Sequence, residues 1–247
     1  MTTAQAAPAG VTELRERLLR LDTAAVADAM DGLRLPPGVL PGIAARTPDA
    51  VACGPAFTVR YRAVDDDTAF RSAADYLDDV PAGSVVVVDN KGSRTCTTWG
   101  SLLSSVALAR GVCGTVVHGS ARDVRESRGA GYPLFSTGVT MVSGKNRVML
   151  DRTGVEVDIA GTSVAPGDWI MADDNGALRI PAALVEGVVR RAEAVERTES
   201  RIREAALGGS RLDEARARFG YARPWEDGEN GEDRENGENG DVDDDRR

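Results

Sequence analysis

The sequence is poor in the residues that build zinc sites and disulfides. It contains one histidine, His118, and three cysteines, Cys53, Cys96 and Cys113, in 247 residues. The cysteines are odd in number and far apart, so neither a disulfide framework nor a Cys/His zinc site is expected. The chain also begins without the basic and apolar segments of a secretion signal. We therefore expect reduced thiols in a cytoplasmic protein.

Long apolar runs and clusters of positive charge are also missing. No stretch approaches the roughly 18 apolar residues that a membrane-spanning helix requires, so we expect no membrane contact. No basic patch is visible along the chain, which argues against nucleic acid as a direct partner. The hydrophobic content of 42% and the charged content of 28% are typical of a globular protein.

Negative charge is concentrated at the C-terminal end. The formal net charge is −9, and residues 226–247 hold eleven acidic residues against three arginines, which leaves −1 for the rest of the chain. This segment has one valine and no other large apolar residue, so it cannot bury enough surface to offset its ordering entropy. We predict a disordered acidic tail over residues 224–247, with a solubilising role favoured over partner binding. A flexible N-terminus (1–10) and a single folded domain (11–223) complete the predicted organisation.

Hydrophobic periodicity predicts a mixed α/β fold. Two helices are expected within residues 12–33, broken where Asp22 or Thr23 can cap the second helix. A strand is expected at residues 53–64 and a helix at residues 67–80. The later elements are expected to be a strand at 132–138, several short strands at 147–181, a helix at 182–207 and a short helix at 211–220.

A strand–helix–strand unit is predicted at the centre of the chain. Residues 84–90 are a continuous β-branched run, typical of a strand that is covered on both faces, and residues 114–119 form a second such run. Residues 101–111 between them are expected to form a helix. Its inward stripe is expected to consist of Leu102, Leu103, Val106 and Ala109. Because such a unit joins parallel strands, we predict a central, partly parallel sheet flanked by helices.

Two loops of this unit should meet at the carboxyl edge of the sheet, where open α/β sheets bind ligands. One loop leads to the helix start at residues 100–103, whose amides can bind a small anion while Gly100 allows close approach. The other holds Arg122, which can clamp a carboxylate, and Asp123, which can hold a divalent cation through oxygen or water. The predicted substrate-binding residues are Gly100, Ser101, Leu102, Leu103 and Arg122.

An alternative explanation of the acidic residues here is purely structural. Asp123 and Glu126 suit a helix start, where acidic side chains are favourable. That explanation does not account for Arg122 directly after a buried strand, which favours function. Ser101 is equally suited to an ordinary helix cap and to substrate contact.

The order of these motifs resembles the RraA-like family. "WGSLL" is followed after eighteen residues by "RDVRE" and then by "VAPGDWIMADDNGALRIP", with "GPAFTV" as a second anchor. This family includes the 4-hydroxy-4-methyl-2-oxoglutarate/4-carboxy-4-hydroxy-2-oxoadipate aldolases and the RraA regulators of ribonuclease E. The resemblance runs from about Leu21 to the helix after Pro181 and implies the family's swivelling β/β/α type of fold. It also implies a homotrimer or a dimer of trimers.

The resemblance implies specific roles for the residues of the predicted site. Arg122 binds the pyruvyl carboxylate, and the amides of Leu102 and Leu103 complete its pocket. Asp123 anchors Mg²⁺ or Mn²⁺, partly through water. The aldolases of the family carry an acidic residue where this chain has Ser101, and a hydroxyl cannot replace a carboxylate base near neutral pH. This departure weakens the expectation of an aldol step but leaves the arginine and metal half of the site intact.

Three further features favour structural explanations. His118 follows two valines within a strand, so a packed or hydrogen-bonded histidine is favoured over a catalytic one. Lys91 lies beside Asp89 and Gly92, where the desolvation that activates a Schiff-base lysine is poor, so a surface lysine is favoured. The segment "PGDWIMADDNG" lacks the spacing and the terminal glutamate of an EF-hand and is interpreted as turns around strands.

The resemblance therefore implies a divalent-metal-dependent carbon–carbon lyase that acts on a 2-oxo acid. Its catalytic residues are expected to be Arg122, Asp123 and Ser101, with Asp123 as the metal ligand. The reaction is either retro-aldol cleavage of a 4-hydroxy-2-oxo diacid or decarboxylation of oxaloacetate, and each gives pyruvate through an enolate. Two alternatives remain: a non-catalytic RraA-type regulator that binds a partner protein, and an enzyme repurposed for another carbonyl substrate.

Overall fold

Strands form the centre of the fold, which a computed structural model describes for residues 8–64 and 74–221. The strands in chain order are β1 (Ala44–Ala45), β2 (Ala52–Ala63), β3 (Val85–Trp99), β4 (Gly114–Ala121), β5 (Leu134–Val139), β6 (Val148–Thr153), β7 (Val157–Ile159), β8 (Thr162–Val164), β9 (Trp169–Asp173) and β10 (Gly176–Ile180). The short strands that were predicted in the second half of the chain are confirmed as β6 to β10.

Helices flank the strands in the described part of the chain. They are α1 (Ala9–Leu18), α2 (Thr23–Gly32), α3 (Ser101–Ala109), α4 (Val124–Gly129), α5 (Val185–Leu207) and α6 (Leu212–Arg218). The break predicted between the first two helices is confirmed, because the Asp22 side chain accepts a hydrogen bond of 2.7 Å from the amide of Ala25 and so caps α2. No helix in the described ranges has the length and apolar character needed to cross a membrane.

Eight strands form one mixed sheet. Its order is β1-β5-β4-β3-β2-β9-β10, and β6 pairs with β2 beside this path. The pairs β2–β3, β3–β4 and β4–β5 are parallel, whereas the pairs that involve β1, β6, β9 and β10 are antiparallel. β7 and β8 form a separate hairpin. The predicted partly parallel sheet with flanking helices is therefore confirmed.

The amino-terminal half of β3 is covered on both faces. Val86 and Val88 lie in one apolar cluster, against which Leu103 and Val106 of α3 pack. Val85 and Val87 lie in a second cluster, together with Phe135. Because successive side chains of a strand point to opposite faces, this arrangement explains the unbroken β-branched run.

Two predicted elements differ from the structure. The strand predicted at residues 84–90 continues to Trp99, because irregularities between Asp89 and Ser93, and again before and after Thr97, keep the polar segment beside β4. Of the helix predicted at residues 67–80, the described part contains only a 3₁₀ turn at Asp75–Asp79, and residues 67–73 lie outside the described ranges. The predicted tail at residues 224–247 also lies outside them, as does most of the predicted flexible N-terminus.

The predicted inward stripe of α3 is partly wrong. Leu102 is 75% exposed and Ala109 is also exposed, whereas Ser104 and Ala107 are buried. The helix turns its 103–104 and 106–107 positions toward the sheet, as the 3.6-residue period requires. Leu102 is left at the edge of the sheet, next to the predicted site.

Candidate functional site

The ends of β3 and β4 lie side by side at the predicted edge. Trp99 is the register partner of Ala121, and the amide of Arg122 donates a hydrogen bond of 2.9 Å to the carbonyl of Trp99. The next residues after each strand therefore meet. This geometry brings the start of α3 next to Arg122 and Asp123, as the sequence predicted.

Asp123 connects the two loops. Its Oδ2 accepts hydrogen bonds from the amide and the hydroxyl of Ser101, both at 3.2 Å, and lies 3.3 Å from Nε of Arg122. Although Asp123 immediately precedes α4, its side chain makes no capping bond to that helix. The explanation of Asp123 as a cap of the helix that follows it is therefore wrong in detail. The carboxylate caps the start of α3 and not that of α4.

The backbone of Asp123 adopts a left-handed conformation, with φ of 53° and ψ of 36°. A residue with a side chain holds this conformation at a cost, typically about 1–3 kcal/mol, when surrounding contacts require it. Here the conformation aims the carboxylate at Ser101 and at Arg122. This conformation occurs at ligand-binding sites and also in ordinary turns, such as those at Asp49 and Ala160 of this chain.

Gly100 allows the close contact between the two loops. A Cβ atom at this position would lie 2.8 Å from Oδ2 of Asp123 and 3.1 Å from Nε of Arg122. The φ of Gly100 is −151°, which any residue can adopt, so space and not backbone freedom explains the glycine. The amide of Ser101 already donates to Asp123, whereas the amides of Leu102 and Leu103 in the first turn of α3 have no acceptor within the helix and remain available for an anion.

Buried contacts fix the two helices behind the site. The indole Nε1 of Trp99 donates to Oγ of Ser104 at 3.0 Å, and that hydroxyl lies 2.9 Å from Oγ of Ser127 in α4. The Trp99 ring also stacks on Tyr132, with centroids 6.1 Å apart. The starts of α3 and α4 are thus held relative to the end of β3.

The donor set at this edge is small. No group of three His, Cys, Asp or Glu side chains converges within the described ranges, so an all-protein metal cage is absent there. Mg²⁺ usually retains several waters and binds through one or two carboxylates together with the substrate. The single carboxylate of Asp123, which is 36% exposed and whose Oδ1 has no hydrogen-bond partner among the described residues, fits a cation held in that manner.

The other candidate residues occupy distinct positions. Lys91 is exposed, and its amide donates to Oδ1 of Asp89 at 2.7 Å, which agrees with the predicted surface role. His118 is partly buried; its Nδ1 lies 3.4 Å from Oδ1 of Asp89 but makes no hydrogen bond. The packed histidine is confirmed, and the hydrogen-bonded form of that prediction is not.

The acidic segment before β10 has a structural role. Oδ1 of Asp173 accepts hydrogen bonds from the hydroxyl of Thr23 and the amide of Asn175, and its Oδ2 accepts one from the amide of Thr23. The carboxylate therefore fixes the start of α2 and its own turn, which confirms the interpretation as turns around strands.

Burial shifts the pKa of two of the cysteine thiols. It raises the pKa of the Cys53 thiol to about 12 and also raises the pKa of Cys113. All three cysteines are free thiols, as expected from their number and spacing.

Three polar residues of the central sheet region were missed by sequence reasoning. Ser120 lies two residues before Arg122, Arg94 lies in the irregular part of β3, and Arg46 follows β1. β1 pairs with β5 over a sequence separation of about ninety residues, and no local pattern predicts this pairing. The alternation of β4 could have indicated Ser120, since it shares a parity with Arg122.

A groove between α1 and the start of α5 lies apart from this edge. It has a volume of about 510 Å³ and is lined by apolar residues that include Val11, Leu14, Trp169 and Val185. Its charged residues include Arg17, which is already paired with Glu193 through two bonds of 2.7 and 2.8 Å. The groove is thus separate from the Arg122–Asp123 edge, and its arginine is already engaged.

Comparison with known proteins supports a single family. Over 213 residues the chain is 42% identical to Protein DlpA of Legionella pneumophila, a match that covers 86% of this chain but only 34% of DlpA. It is 28% identical to a protein of Halalkalibacterium halodurans named "Putative 4-hydroxy-4-methyl-2-oxoglutarate aldolase", over 76% of this chain and 85% of that protein. The chain thus spans about a third of the first relative and most of the second.

A solved structure shows the same fold. RraAS2 of Streptomyces coelicolor, described as an unusual member of the RNase ES inhibitor RraA protein family, matches with a TM-score of 0.70 and 29% identity. The match covers 79% of this chain and 97% of that one. The RraA-like family model, described as Aldolase/RraA, matches residues 23–179. The chain belongs to the RraA-like family.

Proposed function

We propose that the protein is a divalent-metal-dependent carbon–carbon lyase that releases pyruvate from a 2-oxo acid. The observation that carries this proposal is the meeting of Arg122, Asp123 and the open start of α3 across Gly100. This edge combines a guanidinium, an anion-binding helix start and an acidic metal ligand. Such a combination suits a substrate that has a carboxylate next to a carbonyl. The aldolase name of a relative supports the same class of chemistry.

Substrate binding is assigned to Arg122 and to the first turn of α3. The guanidinium of Arg122 is 38% exposed and can pair with a carboxylate in a bidentate manner. The amides of Leu102 and Leu103 can donate to the same carboxylate. Together these donors orient the 2-oxo acid with its carbonyl toward Asp123.

Asp123 would hold the cation, Mg²⁺ or Mn²⁺, directly or through water. When bound, such a cation polarises the 2-oxo group and stabilises enolate charge as a Lewis acid. The positive charge of Arg122 next to it adds to this stabilisation. Asp123 also keeps the Ser101 hydroxyl in place at 3.2 Å.

Ser101 decides which of the two reactions is favoured. Its hydroxyl donates to a carboxylate and cannot serve as a carboxylate base. Retro-aldol cleavage requires removal of a proton from a distant hydroxyl, whereas decarboxylation requires only that the enolate is stabilised. We therefore favour oxaloacetate decarboxylation over cleavage of a 4-hydroxy-2-oxo diacid.

Assembly of several copies is part of the proposal. Three exposed apolar side chains flank the site: Leu102 at 75%, Val139 at 50% and Met141 at 85% exposure. Val139 pairs with Ala121, so these side chains lie at the same edge as Arg122. A homotrimer or homohexamer would cover them. Sedimentation analysis should show a trimer or a hexamer, and Met141→Asp should dissociate it, whereas a monomeric wild-type protein would contradict this assignment.

Pyruvate release from oxaloacetate tests the proposed reaction. Purified protein should form pyruvate above the rate of the metal-containing buffer alone when Mg²⁺ or Mn²⁺ is present. Excess EDTA should abolish the difference, and added cation should restore it. Full activity in the chelator would remove the metal from the mechanism.

Borohydride with pyruvate should leave the protein mass unchanged, because the exposed Lys91 is not assigned a Schiff base.

Two findings favour a second candidate function. The structural relative RraAS2 is described as a member of an inhibitor family, and the chain lacks the acidic residue at Ser101. A non-catalytic regulator that binds a partner protein would release no pyruvate from any 2-oxo acid with any divalent cation. The same assay therefore separates the two functions.

A further inference from the structure

The two helices that begin at the site carry a serine at equivalent positions. Gly100 precedes α3 and Asp123 precedes α4, and the carbonyl of each accepts the amide of the residue four positions later at 3.1 Å. These residues are Ser104, which is 0% exposed, and Ser127, which is 1% exposed. Their hydroxyl oxygens lie 2.9 Å apart. A buried hydroxyl pair therefore joins the two helix starts one turn behind the site.

The number of available protons fixes the direction of the hydrogen bonds around this pair. The indole Nε1 of Trp99 can only donate, and it donates to Oγ of Ser104 at 3.0 Å. The hydroxyl of Ser104 also lies 3.3 Å from the carbonyl oxygen of Gly100, which can only accept. Among the described residues, the Ser127 hydroxyl has no acceptor other than Ser104. All the protons are used when Ser127 donates to Ser104 and Ser104 donates to the Gly100 carbonyl.

The Gly100 carbonyl belongs to the peptide unit that contacts Asp123. The other end of this unit is the amide of Ser101, which donates to Oδ2 of Asp123 at 3.2 Å. Because the peptide unit is planar, a bond that fixes the direction of the carbonyl also fixes the direction of the amide. A continuous chain of hydrogen bonds therefore runs from the buried Ser127 hydroxyl, through Ser104 and this peptide, to the carboxylate.

We propose that Ser104 and Ser127 are positioning residues for Asp123. Through the Gly100–Ser101 peptide they orient its carboxylate so that Oδ1 can bind a divalent cation. This inference rests on the proposed function, in which Asp123 holds the cation. Both serines are buried, so they act through the peptide and not on the substrate. Removal of a group that orients a metal ligand typically lowers metal affinity or activity about 10–100-fold.

Mn²⁺ binding in the presence of excess pyruvate tests this role without turnover. The electron paramagnetic resonance signal of free Mn²⁺ measures how much of the ion the full-length protein binds. Ser104→Ala removes the hydroxyl that holds the Gly100 carbonyl and should raise the dissociation constant of Mn²⁺ about tenfold. Ser127→Ala leaves that hydroxyl bonded to Gly100, so it should raise the constant less, about threefold.

The metal requirement of oxaloacetate decarboxylation should change in the same way. In Ser104→Ala, the Mn²⁺ concentration that gives half of the full rate should rise about tenfold. The kcat at saturating Mn²⁺ should change much less, because Arg122 and the bound cation still stabilise the enolate. A lower kcat with an unchanged Mn²⁺ requirement would contradict the positioning role.

A second buried hydroxyl pair supplies a matched control. Oγ1 of Thr115 lies 2.8 Å from the hydroxyl of Tyr132, and both residues are 0% exposed. Thr115→Val takes this partner from Tyr132, just as Ser104→Ala takes the acceptor from the indole of Trp99. Both variants should therefore lower the melting temperature, but only Ser104→Ala should weaken Mn²⁺ binding. A Ser104→Ala protein that melts earlier and binds Mn²⁺ as the wild type does would assign the serine a purely structural role and overturn the proposal.

Ser104→Thr separates the hydroxyl from the packing around it. The added methyl group at a fully buried position should lower the melting temperature, whereas the retained hydroxyl should keep the Mn²⁺ affinity close to that of the wild type. Mn²⁺ binding as weak as in Ser104→Ala would show that packing sets the affinity, which would also overturn the proposal.

Asp123→Ala distinguishes failure of this proposal from failure of the proposed function. It should abolish Mn²⁺ binding at the site, because it removes the ligand itself. If it does so while Ser104→Ala binds Mn²⁺ as the wild type does, the positioning role is wrong and the cation site at Asp123 stands. If Asp123→Ala binds Mn²⁺ as tightly as the wild type, or if the wild type binds none, the cation site is wrong and the positioning role is wrong with it.

Discussion

The first halves of β3 and β4 differ from their second halves in whether the buried side chains find suitable packing or hydrogen-bond partners. In the first halves, Val87, Val88 and Val116 are 0% exposed and pack in apolar clusters on both faces of the sheet. Toward the carboxyl edge, buried polar atoms of Thr98 and Ser120 lack any hydrogen-bond partner. The first halves therefore stabilise the fold through apolar packing, whereas the second halves leave buried polar atoms unsatisfied, which costs stability.

The same contrast appears in the backbone. β3 pairs regularly with β4 from Val85 to Asp89, and then three irregularities follow before Trp99. Asp123, just beyond β4, adopts a left-handed conformation. Bulges and such conformations concentrate at functional sites, because they direct side chains that a regular ladder would not.

The largest gain of activity is expected from a carboxylate at the edge. Ser101→Asp places an acid where the resemblance to the aldolases requires one and should raise cleavage of a 4-hydroxy-2-oxo diacid about 10²-fold. Decarboxylation of oxaloacetate should change much less, because it depends on Arg122 and the cation. Pyruvate release from both substrates measures the two effects, with Ser105→Asp on α3 as the control. If cleavage stays undetectable while decarboxylation persists, the result would favour the alternative of an enzyme repurposed for another carbonyl substrate.

The next largest effect is expected on the free energy of unfolding, from a substitution in the apolar first halves of β3 and β4. Val87→Ala removes two methyl groups from a fully buried position and should lower the free energy of unfolding by about 2 kcal/mol. The turnover number of the folded protein should not change, since this residue lies away from the edge. Urea unfolding with a parallel activity assay tests both parts. Unchanged stability would show that the two halves do not differ as described.

Removal of a buried hydroxyl without a hydrogen-bond partner is expected to raise, and not lower, the free energy of unfolding. Thr98→Val replaces a buried hydroxyl that lacks a partner with a methyl group of similar size. Its effect on the free energy of unfolding should lie between zero and about 1 kcal/mol of stabilisation. A loss above that size would place a hydrogen-bonded water or ligand at this hydroxyl and weaken the contrast.

The smallest effect on the free energy of unfolding is expected at the Arg17–Glu193 pair, which lies outside both halves of β3 and β4. The hydrogen bond from Arg17 lowers the pKa of Glu193. A carboxyl group whose pKa is lowered by folding contributes stability above its unfolded pKa and loses it as the pH falls through the folded value. Glu193→Gln should therefore cost about 0.5 kcal/mol near neutral pH and nothing below the folded pKa. Unfolding curves from neutral to acidic pH test this, and a pH-independent difference would contradict it.

The sequence predicted the parts of the fold that repeat locally. The β-branched runs that became β3 and β4, and the cap at Asp22, follow patterns within a few residues. The meeting of Ser101 with Arg122 and Asp123 follows from the parallel order of the strands. The position of Arg46 does not, since it depends on the distant pairing of β1 with β5.

Two details of the site depend on geometry that no pattern encodes. The exposure of Leu102 follows from where α3 begins relative to the edge of the sheet. The use of Asp123 to cap α3, and not the helix that follows it, follows from its left-handed backbone. The sequence predicted which residues meet but not which atoms they present.

The most direct test compares three variants in one assay of oxaloacetate decarboxylation with Mg²⁺. Arg122→Ala and Asp123→Ala should each lower kcat/KM about 10²–10³-fold, because each removes a charge that stabilises the enolate. Arg125→Ala, an exposed neighbour on α4, should retain the wild-type value. Melting temperatures within a few degrees of the wild type would show that the losses are chemical. Wild-type kcat/KM in both Arg122→Ala and Asp123→Ala would contradict the placement of the site at this edge.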